Sequence, residues 1–318
     1  MRTTLEQRQK QYRFIYESLS ESPRIPVVDI SQLLKVYRNT ARKRMREAFE
    51  QGYVSKPQIR KRSYTNFKEY IYFLNASNPF RFFSDCIENE DIIYHAVLSG
   101  FANFWIISRN PLDIEDSILN GVRSDYHISY APDHSWDTSI KIVQKKIRTF
   151  DQETYAPQNI IQSHWNESCD WDSEFEILYR EFKYDLREKL TPIRKKHLIS
   201  TGKIYQFLEN LSAYCTVFTN YFPESISSYD PYLYMFETDY EDFIIELFSQ
   251  LPTSSWFFNV SGNVFLLAHV KKGYLRAIDF RNDIGELHIP FLVSNLIEKG
   301  IIKTEKHAIV EYFWEKNL

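Results

Sequence analysis

Glycine is scarce in this chain, with eight among 318 residues, and neither GxGxxG nor GxxxxGK occurs. Loops that cradle nucleotide phosphates need glycine at fixed places, so dinucleotide-binding and P-loop chemistry is excluded. Cysteine is scarcer still: Cys86, Cys169 and Cys215 are odd in number and widely scattered. That usage points to a reducing compartment and argues against a disulfide framework or a cysteine-rich zinc site. No apolar run reaches the roughly 18 to 20 residues that a bilayer crossing requires, and the N-terminus does not read as a signal peptide. A cytoplasmic protein with no membrane partner is the expectation.

What the chain does have is apolar and aromatic material, 43% and 16% of residues, enough for packed cores in two ordinary domains or four small ones. It also has a pattern written twice. Tyr70-Ile-Tyr-Phe-Leu leads to Ser99-Gly100, and 162 positions later Tyr232-Leu-Tyr-Met-Phe leads to Ser261-Gly262. Each copy reads as an alternating strand, a helical stretch, an apolar run, a Ser-Gly turn and a further apolar run, which is β-α-β-β order. The same offset carries Asp29 onto Thr191 and Asn39 onto Thr201, all residue types that cap helices. A unit of this size is too large for a solenoid repeat, so duplicated globular modules are expected.

Net charge is −3, but its distribution is uneven: Arg38 to Arg62 holds nine basic residues against Glu47 and Glu50, a local balance of +7. Before it, Tyr12, Ile15, Tyr16 and Leu19 make one face of a first helix, and Ile30, Leu33 and Leu34 the inner face of a short second one. A third helix, capped by Asn39 and ended by Gly52, has a core stripe of Ala41, Met45, Ala48 and Phe49. Opposite that stripe fall Asn39, Arg42, Lys43 and Arg46. This is the division a recognition helix needs, with Arg38 and Thr40 beside the base-reading set: Arg grips guanine edges, Asn grips adenine, and other cations meet phosphates. The stretch after Gly52 reads as a wing hairpin whose Lys56, Arg60, Lys61 and Arg62 are expected on phosphates.

The segments Asp29-Ile-Ser-Gln-Leu-Leu, Arg38-Asn-Thr-Ala-Arg-Lys-Arg-Met and Glu50-Gln-Gly-Tyr-Val, with Ser99-Gly100 before an apolar strand, resemble the Lrp/AsnC (feast/famine) regulators of archaea and bacteria. The resemblance implies a winged helix-turn-helix followed by a ferredoxin-like βαββαβ effector and dimerisation domain, here in tandem duplication. The closing strands are expected at Tyr126 to Tyr130 after Gly121-Val122, and at His307 to Phe313 after Gly300-Ile301-Ile302. The family places an Asp soon after the central glycine, near its effector site; Phe101-Ala-Asn and Asn263-Val-Phe lack it. About 17 extra residues in the second copy, roughly Lys271 to Leu287, read as an extended hairpin or a ligand lid (300 − 262 = 38 against 121 − 100 = 21).

In the second copy Ile204, Phe207, Leu208 and Leu211 keep a core stripe, but the opposite face is Tyr205, Gln206, Glu209 and Asn210. Ser200 to Glu224 balances at −1, too little for phosphate attraction. Its aromatic residues, including Tyr214, Phe218, Tyr221 and Phe222, suggest burial. His127, His134, and His164 near Cys169 and Asp170, have no ligand spacing, and read as hydrogen-bonded structural residues, so no metal or cofactor is expected. Asp170 and Asp172 read as solvated charges.

These readings converge on an α+β protein of four modules: a winged helix at 1–63, a ferredoxin-like domain at 66–147, a connector at 150–165, a degenerate winged helix at 168–228 and a second ferredoxin-like domain at 229–318. The expected function is sequence-specific transcription regulation, not enzymatic, with double-stranded DNA as partner, a homodimer as the working form and a small-molecule effector as an open addition. Two alternatives stand beside it. Siroheme decarboxylases share an Lrp-like fold, which makes a tetrapyrrole decarboxylase the enzyme reading; a protein-interaction scaffold built from a regulator is the other.

Overall fold

A computed structural model describes residues 4–272 and 289–316. In chain order the first stretch holds α1 (Leu5–Glu21), α2 (Val27–Leu33), α3 (Arg38–Glu50) and β1 (Gln58–Lys61). The second holds β2 (Tyr70–Leu74), α4 (Pro79–Glu88), β3 (Ile92–Gly100), β4 (Phe104–Ser108), β5 (Ser117–Val122), β6 (His127–Ile128) and α5 (Trp136–Thr149). The third holds α6 (Ser173–Phe182), α7 (Leu190–His197), α8 (Thr201–Glu209), α9 (Leu211–Tyr214) and β7 (Cys215–Phe218). The fourth holds β8 (Tyr229–Glu237), α10 (Glu241–Phe248), β9 (Trp256–Val260), β10 (Asn263–Lys271), α11 (Ile289–Glu298) and β11 (Thr304–Glu315). These stretches fold into two compact units, 1–61 with 169–228, and 62–168 with 229–318.

The first unit is helical. Thr4 and Gln7 form a capping box that starts α1, whose Tyr12, Ile15, Tyr16 and Leu19 are buried as their spacing predicts. Helix starts differ from the expected caps. Pro26, Tyr37, Lys189 and Ser200 occupy the N-cap positions, which puts Asp29, Asn39, Thr191 and Thr201 inside the first turn. Polar side chains that cap well also serve in a first turn, where unbonded N–H groups favour them, so residue type alone misplaces the boundary by one to three positions.

The wing expected as a local hairpin is not one. β1 pairs antiparallel with β7, from Gln58 opposite Phe218 to Lys61 opposite Cys215, and Val54 bridges Tyr221. The partner strand comes from the third stretch because the residues after Lys61 leave for the other unit and cannot fold back. Ile59 of β1 is buried with Phe175, Leu178, Phe182, Ile204, Phe207 and Leu211, so strand pairing also seals this core.

The second unit is an antiparallel nine-stranded sheet in the order β5-β2-β4-β3-β11-β8-β10-β9-β6. The fourth stretch follows β-α-β-β-α-β order. The second does not: the eight residues between β4 and β5, with Pro111 among them, leave no room for a helix, and the amphipathic α5 comes after the strands. β5, not Tyr126 to Tyr130, lies beside β2, while His127–Ile128 pairs with β9. Gly121-Val122 therefore lies inside that closing strand. One sheet face is continuous across both stretches, with Phe73 stacked on Phe265 (5.1 Å) and Trp105 on Phe258 (6.2 Å). At its two ends Arg123 bridges Val260, and the Ser261 hydroxyl donates to the Asn120 carbonyl at 2.6 Å.

The two Ser-Gly pairs do different work. Ser261 (φ 49°) and Gly262 (φ 79°) form the two-residue turn between β9 and β10. Gly100 instead ends β3 opposite Ala308, where an added Cβ would lie 2.2 Å from the His307 carbonyl oxygen and 2.5 Å from the Ala308 Cα. The extra residues read as a hairpin or lid lie almost wholly outside the described residues. No described helix is long and apolar enough to cross a membrane.

Candidate functional site

Two surfaces hold the groups with chemical potential. The first is α3, in the helical unit. Buried Ala41, Met45 and Ala48 turn the opposite side outward, and Arg38, Asn39, Arg42, Lys43 and Arg46 are all exposed there, with Thr40 half-buried at its edge. Lys43 lies 3.8 Å from Glu47 and Arg46 3.9 Å from Glu50. Such exposed i,i+4 pairs contribute only about 0.3–0.5 kcal/mol, so both cations can change partners. Arg44 belongs to the core side, with Glu47 at 2.6 Å and Gln11 at 2.8 Å.

The four cations expected on phosphates beyond Gly52 are engaged within the fold. Lys56 pairs with Asp185 at 2.7 Å. Arg60 lies over the rings of Tyr184 and Phe218. Lys61, 15% exposed, pairs with Glu176 and sits over Trp171 (5.0 Å) and Tyr179 (4.7 Å). Burial works against the Glu176 charge, yet Lys61, Trp171 and Arg180 hold its carboxyl below the usual range. Arg62 and Asp125, both in the sheet unit, lie 3.7 Å apart. Each cation of this segment thus has a partner within the fold, an acid or ring distant in sequence, while the Lys56 side chain stays 47% exposed.

In the third stretch α8 turns Thr201, Gly202, Tyr205, Gln206 and Glu209 outward, without cations. Phe207, Phe218, Tyr221 and Phe222 are buried, while Tyr205 is 52% exposed. Asp172, read as a solvated charge, caps α6 through the Phe175 N–H (2.8 Å) and pairs with Lys203. Sequence reading passed over the run Arg194-Lys195-Lys196-His197, which the structure places on α7 with its three Lys and Arg side chains exposed. Its signal was the charge run itself, just upstream of the segment compared with α3.

The second surface is a cleft of about 450 Å³ in the sheet unit, lined by Leu74, Ala76, Ser77, Asn78, Arg81, Phe82 and Asp85. Asn78 caps α4, accepting from the Arg81 N–H at 3.1 Å. Arg81 is exposed, and its guanidinium makes no ion pair among the described residues. Leu74 and Phe82 supply an apolar wall. Behind it Phe82 packs on Phe104 (4.9 Å), and Phe104 stacks on His95 (5.9 Å). His95 is fully buried between Phe83 and Trp314, and among the described residues neither ring nitrogen has a partner with full hydrogen-bond geometry, although the Phe83 backbone weakly favours its charged form. Burial pushes its pKa down to about 4, so the ring is neutral near neutral pH.

Histidines expected to be structural fall elsewhere. Burial also lowers the pKa of His127. His164 stacks on Tyr64 and lies 3.2 Å from Glu167 and 3.4 Å from Asp125, so its neighbours are these and not the pair at 169 and 170. Among the described residues no group of three His, Cys, Asp or Glu could hold a metal ion. Burial pushes the Cys86 thiol up to about 12, which keeps it protonated.

Against this geometry the solved structures give a clear likeness. The fold resembles that of a siroheme decarboxylase. The crystal structure of the siroheme decarboxylase NirDL aligns over 96% of this chain and 92% of that chain, with a TM-score of 0.51 and 9% identity. A crystal structure of NirDL in co-complex with an iron-uroporphyrin III analogue aligns over 97% and 92%, with a TM-score of 0.48 and 11% identity. No family model and no curated protein matches the sequence. The expectation that the chain is not an enzyme is overturned here, since the architecture it shares from end to end is an enzyme's. The cationic face of α3 favoured a regulator, but a charged helix in one unit says nothing about a cleft in the other.

Proposed function

We propose that this protein is a decarboxylase-type enzyme acting on a polycarboxylated tetrapyrrole of the siroheme class. The observation that carries the reading is the end-to-end fold likeness to a siroheme decarboxylase, which takes in both units. A tetrapyrrole needs an apolar wall for its macrocycle and cations for its carboxylate arms. The cleft offers both on a small scale, with Leu74 and Phe82 as wall and Arg81 free for one arm. Its volume lies within the roughly 300–1,000 Å³ of ordinary ligand pockets, so it would seat an edge of the macrocycle and its arm. The test is an absorption titration with siroheme, followed by mass spectrometry for loss of carbon dioxide. The expected outcome is a shifted chromophore band and a product lighter by one carbon dioxide per arm. An unshifted spectrum with unchanged substrate would refute the reading.

A second reading has its own observation. The exposed row Arg38, Asn39, Arg42, Lys43 and Arg46 supports contact with double-stranded DNA, with Asn39, Arg42 and Arg46 in reach of base edges and Thr40 and the other cations on phosphates. In this reading the chain is a helix-turn-helix followed by a β-α-β-β module, written twice and altered in its wing and in the closing part of the first copy. The equal offset of α4, starting at Pro79, and α10, starting at Glu241, supports it (241 − 79 = 162). A gel shift against the protein's own upstream region with a salt series tests it. A slope of log affinity against log salt near zero would exclude phosphate contact, because each neutralised phosphate contributes about −0.9.

A further inference from the structure

The third stretch carries a cationic face of its own, and it is not on the helix that corresponds to α3. Residues 188–200 hold Lys189, Arg194, Lys195 and Lys196 against Glu188, a local balance of +3. Ile193 is the buried anchor of α7, and at about 100° per residue Thr191 and Lys195 fall opposite it, with Arg194 and Lys196 on the flanks. All four side chains are exposed. Glu181 binds both Lys196 and His197 at 2.7 Å, which leaves Arg194 and Lys195 of α7, with Lys189 just before it, as cations with no ion pair among the described residues. Among the described residues Arg194 makes one hydrogen bond, a long one of 3.5 Å to the Thr201 hydroxyl.

From this we propose that α7 binds the phosphate backbone of duplex DNA, as a sequence-independent anchor in the same compact unit that carries α3. The inference rests on the DNA reading of α3 and extends it. α7 exposes cations and a hydroxyl but no amide, the chemistry that positions a protein on the backbone without reading bases. α8 exposes Tyr205, Gln206 and Glu209, which hold no phosphate, so the third stretch has its electrostatic attraction on α7 alone of these two helices. The unit thus divides its labour: α3 carries the side chains able to specify, and α7 those able only to hold.

Fluorescence anisotropy of the full chain on two labelled duplexes of unrelated random sequence, across a potassium chloride series, tests this. Arg194→Ala with Lys195→Ala is compared with Arg42→Ala with Arg46→Ala, and circular dichroism confirms that both fold, since all four side chains are exposed. The α7 variant is expected to lose affinity equally for both duplexes, with a salt slope shallower by about 1.8, or 0.9 per lost phosphate contact. An α7 variant with unchanged slope and affinity, beside an α3 variant that loses binding, overturns the inference and leaves the DNA reading standing. A wild-type chain that binds neither duplex at low salt overturns both.

Discussion

Replacing His95 with Phe should flatten the stability of this protein against pH. The imidazole is fully buried among Phe83, Phe104 and Trp314, and burial lowers its pKa from 6.5 to about 4. The unfolded chain therefore binds the proton more readily than the folded one throughout that interval. Stability from the neutral ring is fully present above about pH 6.5 and is lost as pH falls toward 4. Near pH 5 almost every unfolded molecule carries the proton and few folded ones do, which amounts to about 2 kcal/mol lost relative to neutral pH for this single group. Phe fits the same aromatic enclosure without a titrating nitrogen. Urea unfolding of both proteins near pH 7.5 and near pH 5 measures the difference. Wild type should lose about 2 kcal/mol more than His95→Phe over that interval. Equal losses would show that the ring is hydrated or hydrogen-bonded in solution, and the argument from its burial would fail. His269, also pushed down to about 4 by burial, should add a loss of the same sign.

Four other outcomes follow from named contacts. Gly100→Ala drives a methyl group against the His307 carbonyl and the Ala308 Cα, both backbone, so differential scanning calorimetry should show a loss of about 1–3 kcal/mol or more. Lys61→Met removes the partner of Glu176 and should lower stability by about 1–3 kcal/mol in urea while leaving DNA affinity unchanged; an affinity loss without destabilisation would return Lys61 to the phosphates. Arg42→Ala should cost about 1–3 kcal/mol of DNA affinity and relax preference at one base pair in a selection assay, if the α3 reading holds. Arg81→Ala should weaken siroheme binding about tenfold, or about 1.4 kcal/mol, in the absorption titration, and an unchanged titration would move the carboxylate arm out of this cleft.

Local periodicity made much of the molecule legible. The stripes Tyr12-Ile15-Tyr16-Leu19 and Ala41-Met45-Ala48 each bury as their spacing requires, because a helix decides its inner face within a few turns. The same argument put Arg42 and Arg46 opposite a buried stripe, and they are exposed. The β-α-β-β start of the fourth stretch was equally readable from alternation and turns, while its last helix and closing strand followed from the family resemblance. Partners were not. Lys61 and Glu176 lie 115 residues apart, and nothing near either announces the other. Likewise β1 finds β7, and β11 joins β3 to β8, through pairings that leave no mark on the strands themselves. A cation in sequence is a cation in search of a partner; whether it meets an acid, a ring or water is settled by which distant segment arrives beside it. The chain's own residues thus determined which faces are apolar and which charged. Tertiary structure alone decided which charges are spent inside and which remain outside, because contact between remote segments is a property of the assembled fold.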